Sequence, residues 1–215
     1  MSLLLYGIVM GNTQWLVKPT MCLINAAGLA AIVTKCETDI SREPAIVLAF
    51  GEQVMQIHQK TAVIPMRYGS ILKNEDEVKE LLHKHQDHYQ TLLAEFNNCE
   101  EMGVRLSFEF MADNVIPLQQ PVTGHHYLLA RKRAYAIPEY IEQQAEILNN
   151  ALTGLYRKRS AAISVFNGQQ TYLMSFLVPR NKLTAFRERL LDSMDIIVDT
   201  NAISGPWPPY NFASE

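Results

Sequence analysis

Three histidines crowd one short stretch, HKHQDH, at positions 83, 85 and 88. A zinc pair on a helix needs imidazoles four residues apart, so that both share one face. His83 and His85 are too close in sequence for that, only His85 and His88 can approach each other, and His83 instead has Asp87 at the helical position. The stretch therefore reads as a histidine-rich, partly solvated helix flank, and no metal ligand is assigned. His125 and His126 are adjacent, and neighbours on a helix do not face each other, so a structural or capping role is expected of them. Cys22, Cys36 and Cys99 form no CxxC pair, and Cys99 has no neighbouring histidine to activate it. Nucleophile elbows, Walker loops, dinucleotide fingerprints and HExxH helices are all missing from the sequence. No catalytic residue and no cofactor is expected.

Two basic triplets, Arg131-Lys132-Arg133 and Arg157-Lys158-Arg159, could touch phosphates. The chain as a whole carries a formal net charge of −3, and its pI is near 6.1. A nucleic-acid binder usually shows a basic domain, so the triplets read as solvated or partner-facing surface, the second placed to suit a helix C-terminus. The opening MSLLLYGIVMG lacks the basic flank of a signal peptide, and the apolar stretch at 21–33 is too short to span a bilayer. An odd, sparse cysteine set fits a reducing compartment. These features together predict a soluble, cytoplasmic protein with no nucleic-acid or membrane partner.

The elements that would position these residues follow from periodicity. Leu3–Met10 is a continuous apolar run and predicts a buried strand; Gly28 opens a second, LAAIVTKC. Residues 45–60 predict a helix with Val47, Phe50, Val54 and Ile57 inward. TAVIPMRYGSIL predicts a strand interrupted at Pro65. Asn74 caps an acidic first turn, and the helix beyond it carries Val78, Leu81, Leu82, His85, Tyr89, Leu92, Leu93 and Phe96 on one side, with Gly103 as its breaker. VRLSFEFM alternates as a half-buried strand. A helix near Pro138 follows, with Ile141, Ala145, Leu148, Leu152 and Leu155 inward; then a hairpin around Asn167-Gly168; then a helix with Leu183, Phe186, Leu190, Leu191 and Met194 inward; then a last strand.

The order after residue 103 is β-α-β-β-α-β, the ferredoxin-like split βαβ pattern, with an antiparallel sheet and helices on one face. The first hundred residues read β-β-α-β-α, a modified version. The fold class expected is α+β in two small domains, 1–103 and 104–215, the second ending in a proline- and aromatic-rich tail.

Three stretches, LLYGIV, VIPMRYGSIL and SGPWPPYNF, together resemble in order and spacing the gas vesicle protein F/L family (GvpF/GvpL), whose motifs read LYGI, VLPLRFGT and TGPWPPYSF. GHHYLLARKR is similar to that family's G-x-x-YL-x-x-R segment. The residues that carry the match are Tyr6, Gly7, Pro65, Arg67, Tyr68, Gly69, Tyr127, Leu128, Gly205, Pro206, Trp207, Pro208, Pro209 and Tyr210; Arg131, Lys132 and Arg133 form a partner-facing candidate beside them. The resemblance implies a non-catalytic accessory protein for gas vesicle assembly, built of two α+β domains. Its implied partners are the shell protein GvpA and other accessory proteins. Two other classes stay open: a small-molecule enzyme, oxygenase-like, on a ferredoxin-like scaffold, and a nucleic-acid-binding α+β protein using the basic triplets.

The closing motif is an expectation in itself. Pro206, Pro208 and Pro209 remove three donors, which predicts a short polyproline II segment outside any sheet, with Trp207 and Tyr210 on one side. Burial of that aromatic pair against the protein's own fold is the favoured reading, and docking on a partner is the other.

Overall fold

In the computed structural model, which describes residues 1–12, 20–37, 39–108, 137–166, 169–194 and 200–213, the opening apolar run forms β1 (Ser2–Met10). It pairs antiparallel with β3 (Leu29–Cys36) on one side. On the other side it pairs with two short strands, β4 (Ile64–Pro65) and β5 (Ile71–Leu72). The unbroken hydrophobicity of β1 has a direct cause: both of its faces are covered. Leu3, Leu5 and Ile8 join a core with Val78, Leu82, Leu92, Leu93 and Phe96, while Leu4 packs with Phe50 and Val54 and Val9 with Ile57. Those partners lie on α2 (Glu75–Lys84) and α3 (Gln86–Phe96) on one face, and on α1 (Pro44–Lys60) on the other. The sheet is the middle of three layers.

Sides along β1 do not simply alternate. The register with β3 skips from Leu5–Val33 to Gly7–Ile32, leaving Tyr6 as the extra residue of a β-bulge. The bulge switches the parity, so Leu3 and Leu5 share a face with Ile8. Gly7 sits where a Cβ would lie 2.5 Å from the Val63 Cγ2 and 2.9 Å from the Ile64 carbonyl oxygen.

A strand absent from the sequence reading, β2 (Cys22–Ala26), forms the sheet's outer edge and pairs with β3. Its hairpin turns on Ala27 and Gly28, both at positive φ (54° and 71°), as a two-residue primed turn requires. Alanine is a poor residue for that conformation, so the turn carries no Asn-Gly signature; the Gln90 amide holds it by donating to the Ala27 carbonyl at 3.4 Å. This unit thus reads β-β-β-α-β-β-α-α, with five strands where the expected β-β-α-β-α has three.

The long helix expected from residue 74 starts as foreseen: the Asn74 side chain accepts from the Glu77 N–H at 2.9 Å. It is interrupted at His85 (φ −113°, ψ 20°) and stops at Phe96, well short of Gly103. Asn98 at φ 54° turns the chain, and β6 (Cys99–Phe108) already contains Gly103. A Cβ at that glycine would meet the Ser204 Oγ at 2.6 Å, so a larger residue there would have to turn that hydroxyl aside. Val47, expected inward, is 38 % exposed beside exposed Ile46 and Leu48, because packing of α1 begins only at Phe50.

The second unit holds most of β6, α4 (Glu139–Leu152), β7 (Lys158–Phe166), most of β8 (Gln169–Pro179), α5 (Leu183–Met194) and the first part of β9 (Thr200–Trp207). The strand order is β7-β8-β6-β9, the split βαβ arrangement. Val104, Leu106 and Phe108 are buried and alternate with half-exposed Arg105 and Ser107. Ile141, Ala145, Leu148 and Leu152 face inward on α4, which packs against α5. Rings of Tyr156, Phe176 and Phe186 contact in series at centroid distances of 5.1 and 5.4 Å. Leu191, expected inward, is 58 % exposed, and Ser193 is buried in that last turn. The Arg157–Arg159 triplet opens β7 and does not cap α4, which ends at Leu152 before Gly154 at φ 84°.

The chain divides into two compact units that are not contiguous in sequence: residues 1–101, 177–180 and 205–215 form one, and 102–176 with 181–204 the other. The tail therefore counts with the first unit, in contrast to a single 104–215 block.

Replacing Gly7 by alanine is expected to lower stability by about 1–3 kcal/mol, the cost of overpacking a filled site. Urea denaturation of the full chain checks it; an unchanged midpoint would show that the β1–β4 spacing yields freely.

Candidate functional site

Motif residues that lie far apart in sequence converge on one aromatic cluster in the first unit. The bulge turns the Tyr6 ring onto Phe50, stacked at 4.5 Å and 22°. Tyr68 meets the other side of Phe50 edge-on at 5.3 Å, and its hydroxyl donates to the Ser41 carbonyl at 2.7 Å. Arg67 to Ser70 form a turn with Gly69 at φ 96°, closed by bonds from the Ser70 N–H (3.1 Å) and hydroxyl (2.8 Å) to the Arg67 carbonyl. Pro65 has no N–H to offer β1, so the Met66 N–H takes over and donates to the Tyr6 carbonyl at 3.0 Å. Tyr210 packs against the same cluster of Leu4, Phe50 and Val54, and burial pushes its hydroxyl pKa up to about 12. The Arg67 side chain is exposed.

A second feature was not anticipated from the sequence. Glu100 and Glu101, neighbours at the start of β6, are both buried (8 % and 4 % exposed). Successive strand residues point to opposite faces, so the two carboxylates serve different partners. Glu100 accepts from the His58 Nε2 and from the Arg180 Nε, both at 2.7 Å. The same guanidinium donates from Nη2 to the His58 carbonyl at 2.7 Å, while the Arg180 N–H bonds the Asn98 carbonyl at 2.8 Å. Arg180 thereby satisfies a carbonyl in the last turn of α1 and one just beyond α3. Burial alone would raise the Glu100 pKa, but the hydrogen bond and charge of His58, with those of Arg180, outweigh it and hold the carboxyl below the ordinary glutamate value. Because an ionised carboxylate only accepts, His58 donates from Nε2; its Nδ1 has no partner among the described residues. Glu101 is clasped by Asn211, whose backbone N–H donates at 2.8 Å and whose side-chain amide donates to the second carboxylate oxygen. The sequence signal for this pair was CEEM, two charges set in an otherwise apolar strand start.

Asn211 belongs to the closing motif, and here the polyproline expectation is corrected. Strand β9 continues through Gly205 and Pro206 to Trp207, an edge position where proline's missing donor does no harm. Pro208 and Pro209 are buried, and a short 3-10 turn at Tyr210–Phe212 follows, with Phe212 packed on the first unit's main core. Trp207 and Tyr210 do not act as a pair: Tyr210 docks, and Trp207 is 48 % exposed.

Elsewhere the candidates separate. His83 and His88 are exposed and His85 sits at the α2–α3 break; His85 and His88 each contact the Tyr89 ring, at 5.4 and 6.0 Å. Among the described residues no group of three histidine, cysteine, aspartate or glutamate side chains could hold a metal. Burial pushes the Cys36 thiol up, partly opposed by the chain's N-terminal charge, which leaves it a poor nucleophile at neutral pH. His125, His126, Tyr127, Leu128 and Arg131–Arg133 lie outside the described residues. A cleft of about 440 Å³ is lined by His58, Lys60, Gln90, Asn97, Asn98 and Arg180, among others. Its lining does not include Arg67, Tyr68 or the HKHQDH histidines.

A family model described as gas vesicle synthesis protein GvpL/GvpF matches residues 2–214. The chain belongs to the GvpL/GvpF family. It is 24 % identical over 220 residues to gas vesicle protein F of Streptomyces sp. (strain CB03234), covering 91 % of this chain and 88 % of that one. It is also 24 % identical over 233 residues to gas vesicle protein L1 of Halobacterium salinarum, covering 90 % and 80 %. The fold is that of the gas vesicle protein GvpF structures from Microcystis aeruginosa (TM-score 0.73, 12 % identity, 100 % and 99 % coverage) and Anabaena sp. PCC7120 (TM-score 0.69, 14 % identity, 100 % and 98 % coverage).

In this GvpL/GvpF chain the buried ionic node should make stability acid-sensitive. A carboxyl held below its unfolded pKa stabilises fully above the unfolded value, and that stabilisation is lost as pH falls through the folded one. Glu100→Gln is expected to cost about 2–3 kcal/mol at neutral pH, toward the low end for a broken buried pair because Arg180 is 35 % exposed. The variant should also show a flatter loss of stability below about pH 5. Thermal melts across pH check both; parallel acid limbs in variant and wild type would assign the acid response to other carboxylates.

Proposed function

We propose that this chain is a non-catalytic assembly factor for gas vesicles, acting in the cytoplasm and at the growing vesicle. In this reading it binds the shell protein GvpA and other accessory proteins during nucleation or growth. The observation that carries the proposal is the family match across residues 2–214. The physical need is plain: a shell subunit with a strongly apolar face aggregates before assembly unless a partner covers its hydrophobic patch and strand edges.

The arrangement of ionisable groups supports a non-catalytic role. His58, Glu100, Arg180 and Glu101 bond each other, backbone groups and the tail. No helix among the described residues is long and apolar enough to cross a membrane. We assign the motif residues Tyr6, Gly7, Pro65, Tyr68, Gly69, Pro208, Pro209 and Tyr210 to shaping and closing the fold. Among the described motif residues Trp207 is the large apolar side chain offered outward, on a strap fixed by the buried prolines beside it.

Deleting the gene from a vesicle-producing host is expected to abolish or malform the vesicles, and wild-type protein should co-purify with the shell subunit. Trp207→Ala should change thermal stability little, by less than about 1 kcal/mol, while weakening that co-purification. A large drop in stability would return Trp207 to the strap, and normal vesicles in the deletion strain would remove the assembly role.

A further inference from the structure

Strand β7 ends its sheet in an unusual state of exposure. It has β8 as its sheet neighbour among the described residues, so its outer row of backbone groups faces away from the sheet. It is nine residues long and holds no proline. Ala161, Ala162, Ile163 and Val165 are all exposed, Ile163 at 41 % and Val165 at 68 %. Residues 161, 163 and 165 lie on one side of the strand and 162 on the other, so apolar surface is open on both. The adjacent β8 is its opposite, with Thr171, Met174, Ser175 and Phe176 buried. Folded proteins usually blunt such an edge with lysines, prolines or bulges. Here the charges are confined to one end, Arg157, Lys158 and Arg159, all exposed.

We propose that β7 is a docking edge that takes an extended, β-branched segment of a partner protein by strand addition, with acidic residues at the partner's C-terminal end set against Arg157–Arg159. Strand addition supplies affinity through main-chain hydrogen bonds and specificity through alternate side chains. The one-ended charge selects polarity: an antiparallel incoming strand places its C-terminal end beside the N-terminal end of β7. It also disfavours a second copy of this chain. Antiparallel self-pairing centred on Ala162 would set Lys158 and Arg159 opposite Phe166 and Val165, and the copy's β7 would bring no acidic residue to the basic end. The inference deepens the assembly role proposed above and rests on it for the setting of the partner.

The test uses the full chain and fluorescent peptides of about ten residues, alternating valine and threonine, with two glutamates at the C-terminus, at the N-terminus, or replaced by lysines. Fluorescence anisotropy should rank the C-terminal-glutamate peptide tightest, about fivefold over the N-terminal version. Val165→Lys, and independently Ile163→Lys, should weaken binding by about tenfold or more. Both positions are exposed, so thermal denaturation should be unchanged. Equal binding by wild type and Val165→Lys, or no binding of any peptide, overturns the proposal. So does a concentration-dependent dimer of the wild type that Val165→Lys abolishes, which would give the edge to a second copy. In the deletion host, full complementation by Val165→Lys overturns β7 docking while leaving the assembly role standing. Normal vesicles in the deletion strain itself overturn the assembly role, and the peptide ranking then decides β7 alone.

Discussion

Two neighbouring carboxylates at the start of β6 hold the chain where it leaves the first unit and where it comes back. The chain departs after residue 101 and returns at 177–180 and again at 205–215. Glu100 bonds Arg180 at the first return, and Glu101 bonds Asn211 at the second. Each bond closes a loop of many residues, and the entropic cost of such closure must be met by contacts at the closing point. The alternation of a strand lets adjacent residues do this on opposite faces. Arg180 adds a further economy by bonding the His58 and Asn98 carbonyls near the ends of α1 and α3.

The closing segment follows from that constraint. Once Asn211 is clasped, Tyr210 is placed against the Phe50 cluster and Phe212 against the main core. The bulge at Tyr6 and the glycine at position 7 serve the same cluster from the other end of the chain: the extra residue turns a tyrosine onto Phe50, and the missing Cβ lets β4 approach. The family motifs among the described residues, unrelated in sequence, thus contribute to one packing unit. Trp207 is the large apolar side chain that the closing motif leaves exposed, and on the second unit β7 carries exposed Ile163 and Val165. Exposed apolar surface of this kind supports the partner-binding role proposed above.

Strands and helices with a strong period were legible from residues alone. The alternation at Val104, Leu106 and Phe108, the Asn74 cap and the inward face of α4 all rest on local chemistry that any surroundings would respect. The misses share a cause. Strand β2 turns on Ala27-Gly28, whose strained alanine is supported by Gln90 from α3. The break at His85 falls in the polar HKHQDH stretch, where no glycine or proline marks it, and the strand start at Cys99 follows a left-handed turn at Asn98 made without glycine. Val47 and Leu191 fit a helical stripe but sit beyond the packing that would cover them.

The sequence by itself determined the family, the α+β class and the expectation that no catalytic constellation is present, because these depend on residue types and their order. Only the tertiary structure decided that Glu100 and Glu101 are buried clamps, that the tail closes the first unit through Asn211, and that Tyr210 docks while Trp207 stays out. Those outcomes hang on partners 80 and 110 residues away. A carboxylate reads as surface until a guanidinium and an imidazole, or an asparagine from the far end of the chain, are seen to repay its desolvation.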